Sequence, residues 1–400
     1  ARATAFYAAL EKLHRRFPDH VEIGSFYALA KLGTVNPKDK TYKKQKEAGE
    51  LLEKLFLDNP DHPGIAHYII HAYDYPELAA RGLYAARRYD DIAPWVPHAL
   101  HMPTHIYTRL GMWQDSINGN VASSEAARNY AGKYYQGGTT MDDAHAMDYL
   151  MFAYLQTGQD SKASEVYAHL NGIKKIVPGN EFATAYAFGA MPARYFLERR
   201  QWRAAAGLSV PLSEFVNRFP FAESHIEFAR AVGAARSGQI ERAEASVKKL
   251  GELRDSVGET KFLWWVGQIE IQRLAAEAWL TYAKGRKLEA ENLFRMACEI
   301  EDKAGTHPVT PGQVLPAREQ LGEMLLEIGK EKEALVEFEK SLKAFPRRFH
   351  SHRGAMLAAH KTNNLRAARK HARELMKLAG KSEERRSQLT EAQRIISNMR

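Results

Sequence analysis

The fold class predicted for this chain of 400 residues is all-α, a solenoid of stacked helix pairs. Three observations predict it. Apolar-periodic segments of about 10–15 residues follow one another along the chain, with no alternating strand pattern between them. A turn glycine followed by a small residue recurs, as Gly158 with Ala163, Gly238 with Ala243, Gly285 with Ala290 and Gly329 with Ala334. Six of the sixteen histidines fall within residues 61–111, on segments with helical spacing.

Taken in order, Ala48, Leu52, Leu55 and Pro60 mark the second helix of an early repeat. Residues 61–158 form the histidine-rich part, with Gly111 and Trp113 at its internal turn. The segments around Trp202 to Ala206 and Asn364 to Ala368 continue the series. The clearest copy lies in residues 315–346. Its Leu321, Gly322, Leu325, Gly329, Ala334, Phe338, Ser341 and Pro346 fit the 34-residue tetratricopeptide pattern. Small residues stand where two antiparallel helices touch, and larger ones where neighbouring repeats stack.

Three stretches interrupt the rhythm. Residues 31–42 read as a short loop, and residues 132–143 as a glycine-rich insertion. Residues 305–316 hold three prolines and two glycines, a composition that excludes helix. Residues 317–400 are expected to be C-terminal repeats with a basic surface. The expected whole is one solenoid over residues 1–400, wound as a right-handed superhelix.

Composition narrows the function classes. The chain is 45% hydrophobic and 26% charged, ordinary values for a globular protein. No apolar run approaches the ~20 residues that span a bilayer. Cys298 is the only cysteine, so an internal disulfide and a cysteine-based zinc site are excluded, and its amphipathic setting predicts a buried thiol. The net charge of +9 is concentrated in residues 340–400, which hold sixteen Lys/Arg against four Asp/Glu. Few aromatics interleave these charges and no nucleic-acid motif is present, so solvated helix faces are expected and nucleic acid is not. Metalloprotease, nucleophile-elbow, Walker and dinucleotide motifs are absent.

The histidines carry the chemistry. His67, His71 and Asp74 are spaced i, i+4, i+7, and His98, His101 and His105 are spaced i, i+3, i+7, so each triplet shares one helix face. Imidazole is the commonest transition-metal ligand, and helical histidine pairs supply it readily. Registering successive repeats by their turn residues puts His71, His98, His101, His105, His145 and Asp148 on first-helix positions that line a concave groove. The predicted metal ligands are His67, His71, His101, His105 and His145, around a divalent Zn, Cu or Fe ion. His98, Tyr149, His307, Thr310 and Arg318 are predicted to face a ligand in the groove. Asp74, Asp148 and Glu319 are candidate catalytic carboxylates.

Other roles compete at several of these positions. His67 could pack between helices, His62 reads as structural, and Asp74 could cap the next helix before Pro76. Pro103 would kink its helix or mark its start, and a start there would separate His98 and His101 from His105. Trp264, Trp265 and Trp279 read as core or groove wall. Residues 305–316 are expected to close over the groove, with Arg318 or Glu319 facing the histidines.

Six stretches together resemble a bacterial tetratricopeptide-repeat family. They are FYALAKL (26–32), DKTYKKQ (39–45), HPGIAHYIIHAYDYPELAARGL (62–83), PHALHMPTHIYTRLGMW (97–113), HAMDYLMFAYLQTG (145–158) and HPVTPGQVLPAREQLGEMLLE (307–327). The resemblance implies a periplasmic or secreted setting and further repeats on the N-terminal side; the chain opens without Met, as a fragment or mature form would. It implies no particular reaction. The leading expectation is a repeat protein that binds a protein, a peptide or a small molecule in its groove beside a bound metal. Two alternatives are a metal-dependent enzyme, oxidoreductase or hydrolase, on the same scaffold, and a metal-free protein-interaction scaffold.

Overall fold

The structure is a computed structural model that describes residues 2–36, 39–177, 179, 181–258, 263–305, 307, 310–379 and 386–397. Among these residues there are 21 helices and no strand, and a single isolated bridge joins Thr139 to Ile176. The chain divides into two compact units, Ala1–Ala127 and Arg128–Arg400.

The first unit contains α1 (Arg2–Arg16), α2 (Val21–Leu32), α3 (Lys43–Asp58), α4 (Pro63–Tyr73), α5 (Ala79–Ile92) and α6 (Pro97–Arg109). It also holds most of α7 (Trp113–Tyr134). The second unit contains α8 (Met141–Gln156), α9 (Asp160–Gly172), α10 (Glu181–Glu198), α11 (Trp202–Ala206) and α12 (Ser213–Val216). There follow α13 (Pro220–Arg236), α14 (Ile240–Gly258), α15 (Leu263–Ala283), α16 (Lys287–Ala304) and α17 (Ala317–Glu327). The last four are α18 (Glu331–Ala344), α19 (Phe349–Lys361), α20 (Leu365–Ala379) and α21 (Ser387–Ser397).

The helix pairs share one turn. Gly111, Gly158, Gly238, Gly285 and Gly329 all have φ between +67° and +83°. Arg200 and Asn363 hold the same place at +56° and +57°. In all seven turns the next residue's N–H reaches back to the carbonyl five residues earlier, as in Met112 to Tyr107 and Lys330 to Leu325, at 2.8 to 3.1 Å. This is the Schellman closure, which satisfies a carbonyl that the helix end would leave bare. Five residues beyond each left-handed position stands Ser116, Ala163, Ala205, Ala243, Ala290, Ala334 or Ala368, each with no exposed surface. These uniform turns and packing positions make the array a tetratricopeptide-type helical repeat.

The helix ends bear on two expectations. Within residues 132–143 the non-helical insertion narrows to 135–140, because α7 continues to Tyr134 and α8 begins at Met141. Gly132 costs α7 only its low propensity, roughly 1 kcal/mol, which the flanking turns outweigh. Thr140 caps α8, its hydroxyl accepting from Asp143 N at 3.2 Å. Pro103 neither starts nor ends α6; the helix runs through it, as α10 runs through Pro192. Trp265 and Trp279 are buried in the second unit, and so is the Cys298 thiol, which burial pushes well above its usual range.

A candidate metal centre

The centre in the first unit is built on α4 and α6. His62 precedes α4 and caps it, its Nδ1 accepting from Ile65 N at 3.3 Å, while its Nε2 lies 2.9 Å from Glu22. That is the structural role expected for it. Pro63 and Pro97 each occupy the first turn of their helix, where no N–H partner is needed. Because α6 is continuous, His98, His101 and His105 belong to one helix.

Equivalent rows of α4 and α6 meet. The His67 ring lies 5.1 Å from His98 and 4.7 Å from His71. Two helix turns further along the same rows, Asp74 Oδ2 lies 3.0 Å from His105 Nδ1. Asp74 is therefore not the cap of the following helix. It ends α4, and its buried carboxylate accepts from His105 Nδ1 and from Arg109 Nε at 2.9 Å.

His101 is turned the same way. Its Nδ1 lies 2.7 Å from Asn120 Oδ1. The Asn120 amide is oriented by its own N–H₂ group, which donates to Ser116 O at 2.8 Å, so Oδ1 is the atom presented to His101. Both Nδ1 atoms thus face acceptors and must carry hydrogen. In a neutral imidazole, the other nitrogen then bears a lone pair. Those two nitrogens, His101 Nε2 and His105 Nε2, point at each other across 3.0 Å. Both residues are no more than 3% exposed.

Burial lowers two more histidines of the first unit, His67 and His71. The His67 imidazole is pushed down to about 3 by desolvation, with His71 and His98 adding to the effect. His71 is lowered by desolvation against the pull of Asp74. Neutral rings result, and a neutral ring can ligate a metal without first losing a proton.

The remaining predicted residues lie in the second unit. His145 is buried on α8 with its ring edge-on to Tyr149, 5.2 Å between centroids. Of the predicted metal ligands, His101 and His105 of the first unit and His145 of the second are the buried ones. Asp148 is fully buried, with Oδ1 3.1 Å from Arg194 Nε, and desolvation raises it to about 6. Thr310 accepts from the Tyr186 hydroxyl at 2.7 Å, and the Arg194 guanidinium donates to Gly312 O and Gln313 O. The His307 ring lies tilted against Trp264 and Trp265, at 5.0 and 5.7 Å between centroids. Thr306, Pro308 and Val309 lie outside the described residues. Arg318 pairs with Asp302 and Glu337, and Glu319 with Arg348 and Ser351. Asn120 and Arg109, which orient the central pair, were missed by the sequence reading; Arg109 stands one helix turn after His105 on α6, a spacing that could have pointed to it, whereas Asn120 follows His101 by 19 residues, which matches neither a helix turn nor the repeat.

No known family's sequence pattern matches this chain, and no curated protein is similar to it in sequence. Among solved structures, yeast Tom70 aligns at 11% identity and a TM-score of 0.34, over 100% of this chain and 96% of that one. The P58(IPK) TPR domain aligns at 12% identity and a TM-score of 0.28, over 89% and 95%. A monomeric IFIT1 mutant with a capped RNA aligns at 11% identity and a TM-score of 0.40, over 94% and 77%.

Proposed function

We propose that the protein is a tetratricopeptide-type binding protein whose first unit holds a divalent transition metal on His101 and His105. One observation carries the reading: two buried Nε2 lone pairs face each other at 3.0 Å while both Nδ1 atoms are committed to acceptors. Two such lone pairs repel unless a cation lies between them. Two nitrogens at the usual metal–nitrogen length of about 2.0–2.1 Å are about 2.9 Å apart at a right angle and about 3.3 Å apart at a tetrahedral one. The Asp74–His105 contact is the carboxylate–histidine support that fixes a ligand's tautomer and raises its basicity. An all-imidazole donor set suits zinc, copper or iron.

Elemental analysis of protein purified without a histidine tag or chelator is the first test, followed by titration with Zn²⁺ and Cu²⁺. The expected result is one equivalent of metal, with affinity falling at least a hundredfold in His101→Ala and His105→Ala. Asp74→Asn should weaken binding by about 10–100-fold, the usual loss when a ligand's support is removed. If the purified chain holds no metal and titration gives no heat, a proton shared between His101 and His105 replaces the metal reading.

A further inference from the structure

The repeat that begins with α10 has a truncated second helix. The other second helices after α5 run from 13 to 22 residues, whereas α11 has five. The sequence explains the stop: Pro211 disfavours helical backbone at Val210, and Gly207 directly follows the last helical residue. The chain leaves through residues 207–212, with Leu212 in the left-handed region at φ +53°. Where a full second helix would lie there is a cleft of about 390 Å³, within the range that small ligands occupy.

Its walls mix apolar surface with polar side chains, some of them fixed in advance. On one side are Leu208 and Ser209, and on the other Glu227 and Arg230 of α13 with Arg242 and Ser246 of α14. Arg230 Nε donates to Leu208 O at 2.8 Å, and its Nη1 donates to Glu227 Oε1 at 2.6 Å. Glu227 is only 7% exposed, so the guanidinium is anchored on a buried carboxylate and needs no ligand to order it. Among the described residues, Arg242 donates only to the neutral amide of Gln239, at 2.8 Å. The lining therefore holds two guanidinium groups against one carboxylate, which Arg230 already pairs. A planar guanidinium matches a carboxylate or phosphate through paired N–H groups, and one held in place loses less freedom when it binds.

We propose that this cleft binds a small molecule bearing a carboxylate or phosphate group, held between Arg230 and Arg242 with the Ser209 and Ser246 hydroxyls beside it. The full chain is titrated with sodium phosphate and with succinate by calorimetry and thermal unfolding, with sodium chloride at matched ionic strength as control. At least one anion should bind saturably and raise the unfolding temperature beyond the chloride effect. Phosphate alone, succinate alone or both would then identify the group recognised. Two exposed positions supply the variants: Arg242→Gln removes the second guanidinium, and Ala245→Trp fills the cleft. Each should weaken binding at least tenfold with unchanged helix content. The proposal is overturned if neither anion exceeds chloride, or if both variants bind as the parent does.

Discussion

At the scale of single residues, burial sets which protonation state the fold accepts. His225 on α13 is the clearest case. Desolvation pushes its imidazole down to about 3, the Arg194 charge adds to the shift, and the Gln272 amide lies 2.7 Å from its Nδ1. In the unfolded chain the same ring titrates near 6.5. The folded state therefore excludes a proton that the unfolded state accepts. Stability from this group is fully present above pH 6.5 and is lost as pH falls from there toward 3. Each pH unit in that window costs about 1.4 kcal/mol. His225→Gln should narrow the difference in urea-unfolding free energy between pH 7 and pH 4.5 by about 2–3 kcal/mol; an unchanged difference would show that the ring does not titrate in this way. Side-chain chemistry of this kind was only partly legible in the sequence. The helical spacing of His101 and His105 was plain, but the role of Asp74 was not, because its partners stand on the next first helix rather than on its own. Local capping logic pointed to Pro76, and a comparison of α4 with α6 one repeat apart would have pointed to His105.

At the scale of elements, the turns were the most readable feature, because a left-handed residue selects glycine and the Schellman closure fixes its place. Where the residue is not glycine, as at Arg200 and Asn363, the flanking Trp202 and Ala368 motifs carried the register instead. Gly285 isolates the backbone contribution: its φ is +83° and a side chain there would meet no heavy atom within 4 Å. Gly285→Ala should cost about 1–2 kcal/mol, the penalty of holding an L-residue left-handed. Asn363→Gly should give a smaller gain, and both follow from urea-unfolding midpoints. Close approach is a different constraint. A methyl group on Gly354 of α19 would sit 2.1 Å from the Phe338 ring of α18, so Gly354→Ala should cost about 1–3 kcal/mol through overpacking. The truncation of α11 is legible too, in Val210 and Pro211.

At the scale of the whole molecule, the second unit is more than a row of neighbours. Arg348, at the start of α19, bonds Glu319 through Nε at 2.9 Å and Glu198 of α10 through Nη2 at 2.5 Å. The Phe349 N–H donates to Gln156 Oε1 of α8 at 3.0 Å, and Arg386 grips Asp160 at the start of α9. Burial alone would raise the Glu319 carboxyl, but the Arg348 charge outweighs it and holds the group below its usual range. The contacts to Glu198, Gln156 and Asp160 join residues 150 to 226 apart in sequence, a distance that no repeat pattern discloses. Arg348→Met should cost about 3–5 kcal/mol, because it leaves Glu198 and Glu319 buried without their cation; a loss under 1 kcal/mol would show that solvent or Arg200 takes its place. The Asp160–Arg386 clasp also has a mechanical consequence. A stack joined only through adjacent repeats can be peeled from its free end, one pair at a time, under a small and even load. Here the last helix is tied to the α9 turn, so tension applied at residues 128 and 397 loads that tie before any pair can detach. A single-molecule pulling trace of residues 128–397 should therefore begin with one high rupture followed by smaller steps, and Asp160→Ala should remove the first peak while leaving the steps.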